Sequence, residues 1–354
     1  MSRSLQLDEP WQLGTLPVPN RVLLAPLAGI GNWFVRLQAK RYGAGMAISE
    51  MVSSHAIHHR NQRTCVEMLR IDPRERAGGP VAIQLFGEDP AIMRSAARHV
   101  AIAGADAIDI NMGCPVPKVR RTGAGAALLG NPDLAVALAR AAVEGAREGA
   151  DALAGQRAAA PRQVPVTVKL RSGLRAGERS GLEVAQRLVA EAGVAAIGFH
   201  PRSAAVHHKG TPDYELAAHL VRSLPAPVIL TGGLDDAAAV REAFAATGAA
   251  AVMLARGGLG NPWLFGELLG TRARAPSPEE VLEELGWTIE RAVEHLGEER
   301  ATRYLRKFYP WYAPRLRLDR RAARALQESL QAAPTLAHVR ELLGLAGRPR
   351  SLAA

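Results

Sequence analysis

The sequence predicts an α/β fold, a (β/α)8 TIM barrel followed by a smaller all-helical C-terminal domain. Eight short apolar runs occur between residues 22 and 254, and segments with helical spacing lie between most of them. Strands that alternate with helices pair in parallel through right-handed crossovers, and eight such units close a barrel. The strand signal ends near Ala275-Pro-Ser-Pro278, and only helical patterns follow. We therefore expect a catalytic barrel at residues 1–274 and a helical domain at residues 275–354.

The first barrel strand follows a Pro-rich segment, Leu16-Pro-Val-Pro19. The eight predicted strands are Val22–Ala25, Met46–Ser49, Val81–Leu85, Ala107–Asn111, Val166–Lys169, Ala196–His200, Val228–Leu230 and Ala251–Leu254. The predicted barrel helices include Pro90–Ala103, Pro132–Gly145, Leu182–Ala192 and Ala237–Thr247. The helices of the second domain are expected at Glu279–Glu294, Ala301–Tyr312, Asp319–Gln331 and Ala337–Leu345. Residues Gly149–Gln163, rich in alanine and glycine, are expected to form a loose surface insertion.

Composition is that of a globular protein, with 48% hydrophobic and 22% charged residues in a chain of 354. The two cysteines, Cys65 and Cys114, provide neither a disulfide framework nor a zinc pattern. The N-terminus lacks the apolar core of a signal peptide, and no apolar run reaches the length of about 18 residues that a membrane span needs. We therefore expect a cytoplasmic protein in a reducing compartment, without a membrane association.

Positive charge is concentrated near the C-terminus. Residues 300–350 contain twelve lysines and arginines but three acidic residues, which accounts for nine of the formal net charge of +10. A basic segment of this density favours a polyanionic partner. The alternative is that arginine is abundant because the chain as a whole is rich in alanine, glycine and arginine.

The stretch Ala107-Ile-Asp-Ile-Asn-Met-Gly-Cys-Pro115 is the centre of the predicted site. Alternation over Ala107–Asn111 suits a buried strand, and Gly113 and Pro115 end it in a tight turn. That turn places the Cys114 thiol at the carboxyl end of the strand, where active sites form in parallel barrels. A thiol with an ordinary pKa of about 8.5 is protonated at neutral pH and can donate a proton. The alternative, a buried structural cysteine, is disfavoured by the glycine and proline neighbours.

The other strand ends add polar groups to the same opening. They are Pro26-Leu-Ala-Gly29, Glu50, Gln84-Leu-Phe-Gly87, Asn111, Lys169, His200, Thr231-Gly-Gly233 and Arg256-Gly-Gly258. The last two are glycine-rich, and Arg256 adds a charge. Loops after the seventh and eighth strands commonly hold phosphate in this fold. The pattern therefore predicts a phosphorylated ligand.

A ring system is indicated by the remaining polar groups. Lys169 ends an otherwise apolar strand and needs an anionic partner. His200 can donate to a ring carbonyl, and Gln84 and Asn111 offer donors and acceptors for an amide-like edge. A phosphate, an imide edge and a place for negative charge together describe FMN. The spacing of His55, His58 and His59 resembles that of metal ligands, but we expect an exposed loop or helix there and no metal site.

These motifs resemble those of the bacterial tRNA-dihydrouridine synthases over residues 20–315. The motifs that carry the resemblance are Ala25-Pro-Leu-Ala-Gly29, Gln84-Leu-Phe-Gly87, Asp109-Ile-Asn-Met-Gly-Cys-Pro115, Gly123–Leu129, Thr167-Val-Lys-Leu-Arg171 and Arg256-Gly-Gly-Leu-Gly-Asn-Pro-Trp263. The resemblance implies that uridine in tRNA is reduced by hydride from FMN, which NADPH reduces in turn, with Cys114 as the acid. It implies FMN contacts at Pro26, Leu27, Ala28, Gln84, Lys169, Thr231, Gly232, Gly233, Ala255 and Arg256. The polar residues at the strand ends predict two more contacts, Asn111 and His200.

Four positions depart from the pattern of that family. The chain has His200-Pro-Arg-Ser203 where the family has His-Gly-Arg-Thr, and Thr231-Gly-Gly233 where it has Asn-Gly-Asp or Asn-Gly-Gly. Ala255-Arg256 replaces Gly-Arg, and Arg306-Lys-Phe308 replaces Arg-Lys-His. The first three leave backbone contacts to phosphate possible. The last bears on which tRNA site is fitted, not on the chemistry.

We expect Arg202 to contact the RNA substrate, and Arg303, Arg306 and Lys307 to bind tRNA phosphates from one face of a helix. The protein is expected to be a monomer without a protein partner.

Two alternative functions stay open. One is an FMN-dependent barrel oxidoreductase acting on a small molecule such as a dihydroorotate or an enone, which leaves the basic tail without a purpose. The other is a non-enzymatic RNA-binding protein.

Overall fold

The computed structural model describes residues 5–157 and 162–345, which form two compact units that divide between Gly257 and Gly258. The division lies earlier than the predicted boundary after residue 274, so the short helix Trp263–Leu268 belongs to the second unit. Residues 158–161 of the predicted insertion, and Arg348 and Arg350 of the basic segment, lie outside the described residues.

The first unit contains a closed barrel of eight parallel strands. In chain order these are β3 (Val22–Leu24), β4 (Met46–Ser53), β5 (Val81–Phe86), β6 (Ala107–Met112), β7 (Val166–Arg171), β8 (Ala196–His200), β9 (Val228–Thr231) and β10 (Ala251–Leu254). The barrel closes where β10 pairs with β3, with Val252 opposite Val22. The predicted barrel is confirmed, and all eight predicted strands are present.

A two-stranded antiparallel hairpin, β1 (Trp11–Leu13) and β2 (Leu16–Val18), precedes the barrel and was not predicted. Its Trp11, Leu13 and Val18 pack against the inward-facing residues at the amino ends of the barrel strands. Four of those barrel residues are alanines, Ala82, Ala107, Ala196 and Ala251. Because alanine fills little of the interior, the hairpin side chains complete the core there. The hairpin therefore forms the floor of the barrel.

Helices surround the barrel and connect its strands. They are α1 (Trp33–Arg41), α2 (Ser54–His58), α3 (Pro90–Ile102), α4 (Pro117–Arg120), α5 (Pro132–Arg157), α6 (Ser180–Ala192), α7 (Tyr214–Ser223) and α8 (Ala237–Thr247). Short 3-10 turns lie at Pro73–Gly78 and Gly125–Gly130, and a π turn at Thr64–Met68.

The loose insertion predicted at Gly149–Gln163 is wrong for the described part, since α5 continues to Arg157. The glycines that suggested a loop are required for the packing of α5 on α3. A Cβ atom added at Gly145 would collide with the carbonyl oxygen of Arg94, and one at Gly149 would collide with that of Arg98. Glycine at these positions lets α5 approach α3 closely, and that packing outweighs the helix propensity it costs.

The second unit is helical in its described part. It contains α9 (Trp263–Leu268), α10 (Pro278–Leu296), α11 (Glu298–Leu305), α12 (Tyr309–Tyr312), α13 (Arg320–Ala332) and α14 (Leu336–Leu342). In the described residues no helix is long and apolar enough to cross a membrane.

The single helix predicted at Ala301–Tyr312 is wrong, because the chain turns between α11 and α12. Pro310 has no N–H group to donate to the carbonyl of Arg306, so a continuous helix would leave that carbonyl without its partner. Instead the side chain of Gln331 donates to the Arg306 carbonyl from α13, at 3.1 Å. The proline and this substitute donor explain why the helix ends at Leu305.

Candidate functional site

The candidate site is the opening formed by the loops that follow β3–β10, here called the mouth. Strand alternation directs Asp109 and Asn111 of β6 inward, on the same face as the floor residue Ala107. Polar side chains therefore occupy the upper barrel interior while apolar ones fill the lower part. The mouth is where the sequence-predicted strand ends come together.

Four side chains of β5–β7 form a hydrogen-bonded chain, here called the polar relay: Thr167, Asp109, Gln84 and Asn111. Thr167 Oγ1 donates to Asp109 Oδ1 and Gln84 Nε2 donates to Asp109 Oδ2, both at 2.6 Å. Asn111 Nδ2 donates to Gln84 Oε1 at 2.9 Å. The relay shows that the Gln84 and Asn111 amides, predicted to face a ligand, are engaged with each other.

The relay ends at the turn that carries Cys114. The backbone N–H groups of Gly113 and Cys114 donate to Asn111 Oδ1, at 3.2 and 2.9 Å. On the other side of the turn, the Ala126 N–H donates to the Cys114 carbonyl at 3.1 Å. Gly125 sits so close that an added Cβ would lie 3.0 Å from the same carbonyl. Both sides of the turn are therefore held, and the half-buried Cys114 is a free thiol at the mouth.

Lys169 lies beside the relay on β7 and is partly buried. Burial lowers the pKa of Lys169 to about 8, helped by the charge of Arg171 and opposed by that of Asp109. Its register neighbour Gly198 has no side chain, and an added Cβ would lie 3.3 Å from Lys169 Cγ. In the described chain no acceptor is bonded to the ammonium. Lys169 therefore offers a positive charge to a ligand in the mouth.

Arg171 is a buried cation that the sequence analysis gave no role. It is 4% exposed, and its guanidinium donates to the carbonyls of Gly113 (3.0 Å), Ser203 (3.2 Å) and His207 (2.7 Å). Within residues 5–157 and 162–345 no carboxylate pairs with it. Burial, followed by the nearby charge of Arg202, lowers the pKa of Arg171 to about 10. Arg171 thus ties the Cys114 turn to the loop that follows β8.

His200 and Arg202 form the adjacent wall of the mouth. Arg202 Nη1 lies 3.3 Å from His200 Nε2, and its Nε and Nη2 donate to the Gly210 carbonyl at 3.1 and 2.6 Å. Burial, together with Lys169, Arg171 and Arg202, lowers the pKa of His200 far below its ordinary value. The ring is therefore neutral at physiological pH. The ring of His208 stacks on it, with centroids 6.0 Å apart.

The turn after β9 requires glycine at two positions. Gly232 has φ +99°, and an added Cβ would collide with the His200 ring. Gly233 has φ +75°, and an added Cβ would lie 2.7 Å from the Tyr214 hydroxyl, which itself donates to the Gly232 carbonyl at 3.1 Å. Only glycine satisfies both the positive φ and the lack of space. Thr231, buried at the end of β9, precedes this turn.

The loops after β10 and β3 complete the mouth. Arg256 is exposed. Burial, followed by the charge of Arg256, lowers the pKa of His208 to about 4. Ala255 packs on the barrel core. In the β3 loop Pro26 is partly buried, Leu27 is buried and Ala28 is exposed. Glu50 of β4 fixes that loop by accepting a hydrogen bond from the Gly29 N–H at 2.7 Å.

The predicted RNA contacts of the second unit are exposed but do not share one helix face. Arg303 is in α11, where it pairs with Glu299 at 2.9 Å. Arg306 caps that helix, and Lys307 lies in the turn beyond it, 4.6 Å from the centroid of the Tyr304 ring. The assumption of one helix face is therefore wrong, because Pro310 ends the helix.

The histidines near α2 belong to hydrogen bonds. His55 Nε2 lies 3.0 Å from Glu88 Oε1, and His58 Nδ1 lies 3.0 Å from Ser95 Oγ. A carboxylate therefore accompanies only one of these histidines in the described hydrogen bonds. No group of three or more potential metal ligands occurs in the part of the chain that the structure describes.

The chain is similar to proteins of one family. The description "Dihydrouridine synthase (Dus)" belongs to a family model that matches residues 23–343. "Probable tRNA-dihydrouridine synthase 1" of Synechocystis sp. is 35% identical over 328 residues, 91% of this chain and 85% of that protein. "tRNA-dihydrouridine synthase B" of Xanthomonas campestris pv. campestris is 34% identical over 314 residues, 85% of this chain and 86% of that protein.

Solved structures share the barrel. Morphinone reductase in complex with tetrahydroNAD aligns with a TM-score of 0.52 and 19% identity, over 78% of this chain and 94% of that one. A 2-naphthoyl-CoA reductase complex aligns with a TM-score of 0.56 and 13% identity, over 75% of this chain and 52% of that one. At these identities the likeness concerns the fold alone.

Proposed function

The chain belongs to the dihydrouridine synthase family, and from this membership we propose that it is an FMN-dependent tRNA-dihydrouridine synthase. The reaction is reduction of the C5–C6 double bond of uridine in tRNA, with NADPH as the reductant. The observation that carries the proposal is that the Cys114 turn lies beside Lys169 and Arg171. Asn111, which accepts from the Cys114 N–H, is in register with Lys169, and Arg171 Nε donates to the Gly113 carbonyl at 3.0 Å.

The residues of the mouth fit FMN. Lys169 would hold the electron-rich edge of the ring system, because a partly buried ammonium without a bonded partner favours an anion. The Gly232 and Gly233 turn and the exposed Arg256 would hold the phosphate, since both glycines have the positive φ of a tight turn and Arg256 adds a charge. Pro26, Leu27, Ala28, Thr231 and Ala255 would line the remaining wall. When bound, FMN supplies the hydride that it has received from NADPH.

His200 would act as a neutral ring towards the same group. Burial and three neighbouring cations disfavour its protonation, so a proton remains on one nitrogen only. Because Arg202 Nη1 faces Nε2, that nitrogen accepts and Nδ1 carries the proton. Nδ1–H is then available as a donor. Gln84 and Asn111 would support FMN from the relay.

Cys114 would donate the proton to C5 of the uracil ring. A general acid must be protonated before the reaction and within hydrogen-bond reach of its target. The turn that carries Cys114 is anchored on both sides, which holds the thiol in place without a rearrangement. A uridine must leave the RNA stack to reach the mouth. Arg202, beside His200, would contact this substrate.

The second unit would hold the body of the tRNA. Arg303, Arg306 and Lys307 are exposed, in contrast to the buried arginines at the mouth. Exposed cations bind phosphates through charge, with an affinity that falls steeply as salt increases. The same proposal includes a monomer without a protein partner, which light scattering on the purified protein would test.

The decisive experiment uses tRNA from a strain that lacks dihydrouridine. We expect the purified protein to show a flavin absorbance spectrum and to form dihydrouridine in this tRNA when NADPH is added, as measured by mass spectrometry of the nucleosides. Free uridine and small enones serve as matched substrates. Turnover of an enone without turnover of tRNA would replace the proposal by a small-molecule reductase, and a colourless protein that only binds tRNA would replace it by an RNA-binding protein.

A further inference from the structure

The direction of the polar relay is fixed from its backbone end. A backbone N–H group can only donate, so the Asn111 atom that faces Gly113 and Cys114 is the oxygen. Asn111 Nδ2 must then face an acceptor, which makes the facing atom of Gln84 its Oε1. Gln84 Nε2 is therefore the atom that faces Asp109. No step in this assignment depends on choosing an amide orientation.

The relay ends on an acceptor at its inner end. Asp109 receives Gln84 Nε2 on one oxygen and the Thr167 hydroxyl on the other. Gln84 Nε2 can only donate, so the Asp109 oxygen that faces it must accept, and a carboxylate accepts from the Thr167 hydroxyl as well. The donor chain from the Cys114 turn thus runs inward and ends on the Asp109 carboxyl group.

We propose that Asp109 is a positioning residue for the reaction, as the carboxylate that orients the relay behind the Cys114 turn and balances the charge of Lys169. This inference rests on the proposed function for the reaction that is positioned. Asp109 touches neither Cys114 nor the mouth directly and acts through Gln84 and Asn111. Its second effect is electrostatic and does not pass through the relay.

The electrostatic effect follows from the groups around Lys169. Asp109 is in register with Thr167 of β7, and Lys169 lies two residues further along the same face of that strand. Arg171 on the same strand lowers the pKa of Lys169, while Asp109 and Cys114 on or beside β6 raise it. His200 on β8 faces Lys169 as a neutral ring. Asp109 itself is 2% exposed; burial raises its pKa, and the bonds from Thr167 and Gln84 and the charge of Lys169 lower it. Asp109 is the only carboxylate among these neighbours of Lys169 in the described residues.

The charge is tested with Asp109→Asn. In this variant the Thr167 hydroxyl can rotate to accept from the new amide while Gln84 still meets an oxygen, so the relay survives and the charge is lost. FMN affinity of the apoprotein is measured by fluorescence titration across pH. In the native protein affinity should fall as pH rises through about 8, where Lys169 loses its proton. We expect this fall to move about one pH unit lower in the variant, since a neighbouring charge shifts a pKa by about one unit or more.

Thr167→Val is the matched control for that titration. It removes the other donor to Asp109 and keeps the carboxylate, so the alkaline fall in FMN affinity should stay within a few tenths of a pH unit of the native value. A purely structural role of Asp109 would give both variants the same profile. An Asp109→Asn profile that coincides with the native one overturns the charge balance.

The relay is tested with Asp109→Ala by hydrogen exchange of the Gly113 and Cys114 amides, and by alkylation of Cys114 in a Cys65→Ser background. We expect both amides to exchange about tenfold faster, which corresponds to about 1.4 kcal/mol of lost protection. Exchange should change little in Asp109→Asn. If Asp109→Ala fails to fold, Gln84→Leu cuts the relay one step nearer the turn and should give the same exchange. Unchanged exchange in a folded variant refutes the positioning role. These readouts need no tRNA, so a failure of the proposed reaction is a separate result.

Discussion

The cations at the mouth of the barrel and the cations of the second unit differ in how they are solvated. Arg171 and Arg202 are 4% and 9% exposed and donate to backbone carbonyls, whereas the Arg303 side chain is 62% exposed and pairs with an exposed glutamate. Burial lowers the pKa of both arginines of the mouth. Buried charges have lost their water and interact strongly with one partner of fitting shape. Exposed charges interact weakly and with any polyanion.

On the proposed function, this difference implies a division of labour. The buried arginines fix the loops of the mouth, where the cofactor and the reacting uridine would be held, and the exposed cations of the second unit would hold the body of the tRNA through many weak contacts. The following experiments test that division from the largest expected effect to the smallest.

Cys114→Ala should have the largest effect, because it removes the reacting thiol from the mouth and leaves every charge in place. We expect turnover to fall by about 10²–10⁴-fold, the range for a lost general acid. FMN binding, reduction by NADPH and tRNA affinity should be unchanged. Single-turnover measurements with pre-reduced enzyme isolate the step. Cys65→Ala is the control and should be fully active; full activity in Cys114→Ala would remove the thiol from the mechanism.

Lys169→Met should weaken FMN binding by about 10–100-fold, the value of a hydrogen bond to a charged group. The pH dependence has opposite signs in the apoprotein and the complex. Since the pKa of Lys169 is about 8 in the folded protein and 10.5 unfolded, the unfolded chain binds more protons between those values. Apoprotein stability should therefore rise with pH in that window, while FMN affinity falls. Urea titrations from pH 7 to pH 10 measure the first slope. In the methionine variant this slope should become shallower, because Lys40, whose pKa burial also lowers to about 8, still titrates there, whereas the slope of FMN affinity should vanish.

Gly232→Ala should reduce FMN affinity about tenfold through the collision with His200 and the strain of a positive φ. Gly193→Ala is the matched control. Gly193 has φ +71°, but nothing lies within 4 Å of an added Cβ. It therefore carries the strain without the collision, and should cost about 1 kcal/mol of stability without affecting FMN. Equal FMN affinity in the two variants would show that the turn does not face the cofactor.

Replacing Arg303, Arg306 and Lys307 by glutamine should have the smallest effect at low salt, a few-fold loss of tRNA affinity. The sharper readout is the salt dependence, whose logarithmic slope should become shallower by about two to three if each cation meets one phosphate. FMN affinity should not change. The control replaces three exposed arginines of the barrel helices, Arg98, Arg147 and Arg222. If the control flattens the slope as much as the test variant, the RNA is held by net charge and not by this surface.

The barrel was predictable because each of its strands is a short apolar run ended by glycine, proline or a polar residue. The same rule brought Lys169, His200 and Cys114 to one opening, since parallel strands end at the same side. The hairpin at Trp11–Val18 was missed because its strands have three residues each and one contains Pro17. The extension of α5 was missed because glycine in a helix looks like a break until the helix it packs against is known.

The role of Asp109 has a signal in the sequence. An aspartate within a strand that is otherwise buried needs partners, and Thr167 and Gln84 are the polar residues at the same depth of the neighbouring strands. The role of Arg171 had no such signal. Its acceptors are the carbonyls of Gly113, Ser203 and His207, and backbone groups do not show in a sequence. The break after Leu305 could be read from Pro310, but the donor from Gln331 could not.

The β1–β2 hairpin that forms the floor of the barrel has a kinetic consequence. With Trp11, Leu13 and Val18 sealing one end of the cylinder, the interior can be approached from a single side. On the proposed function, NADPH and tRNA would then use the same entrance one after the other, each leaving before the next arrives. Double-reciprocal plots of the initial rate against each substrate, at several fixed concentrations of the other, should accordingly give parallel lines. An excess of either substrate should inhibit, because it would occupy the mouth and block binding of the other.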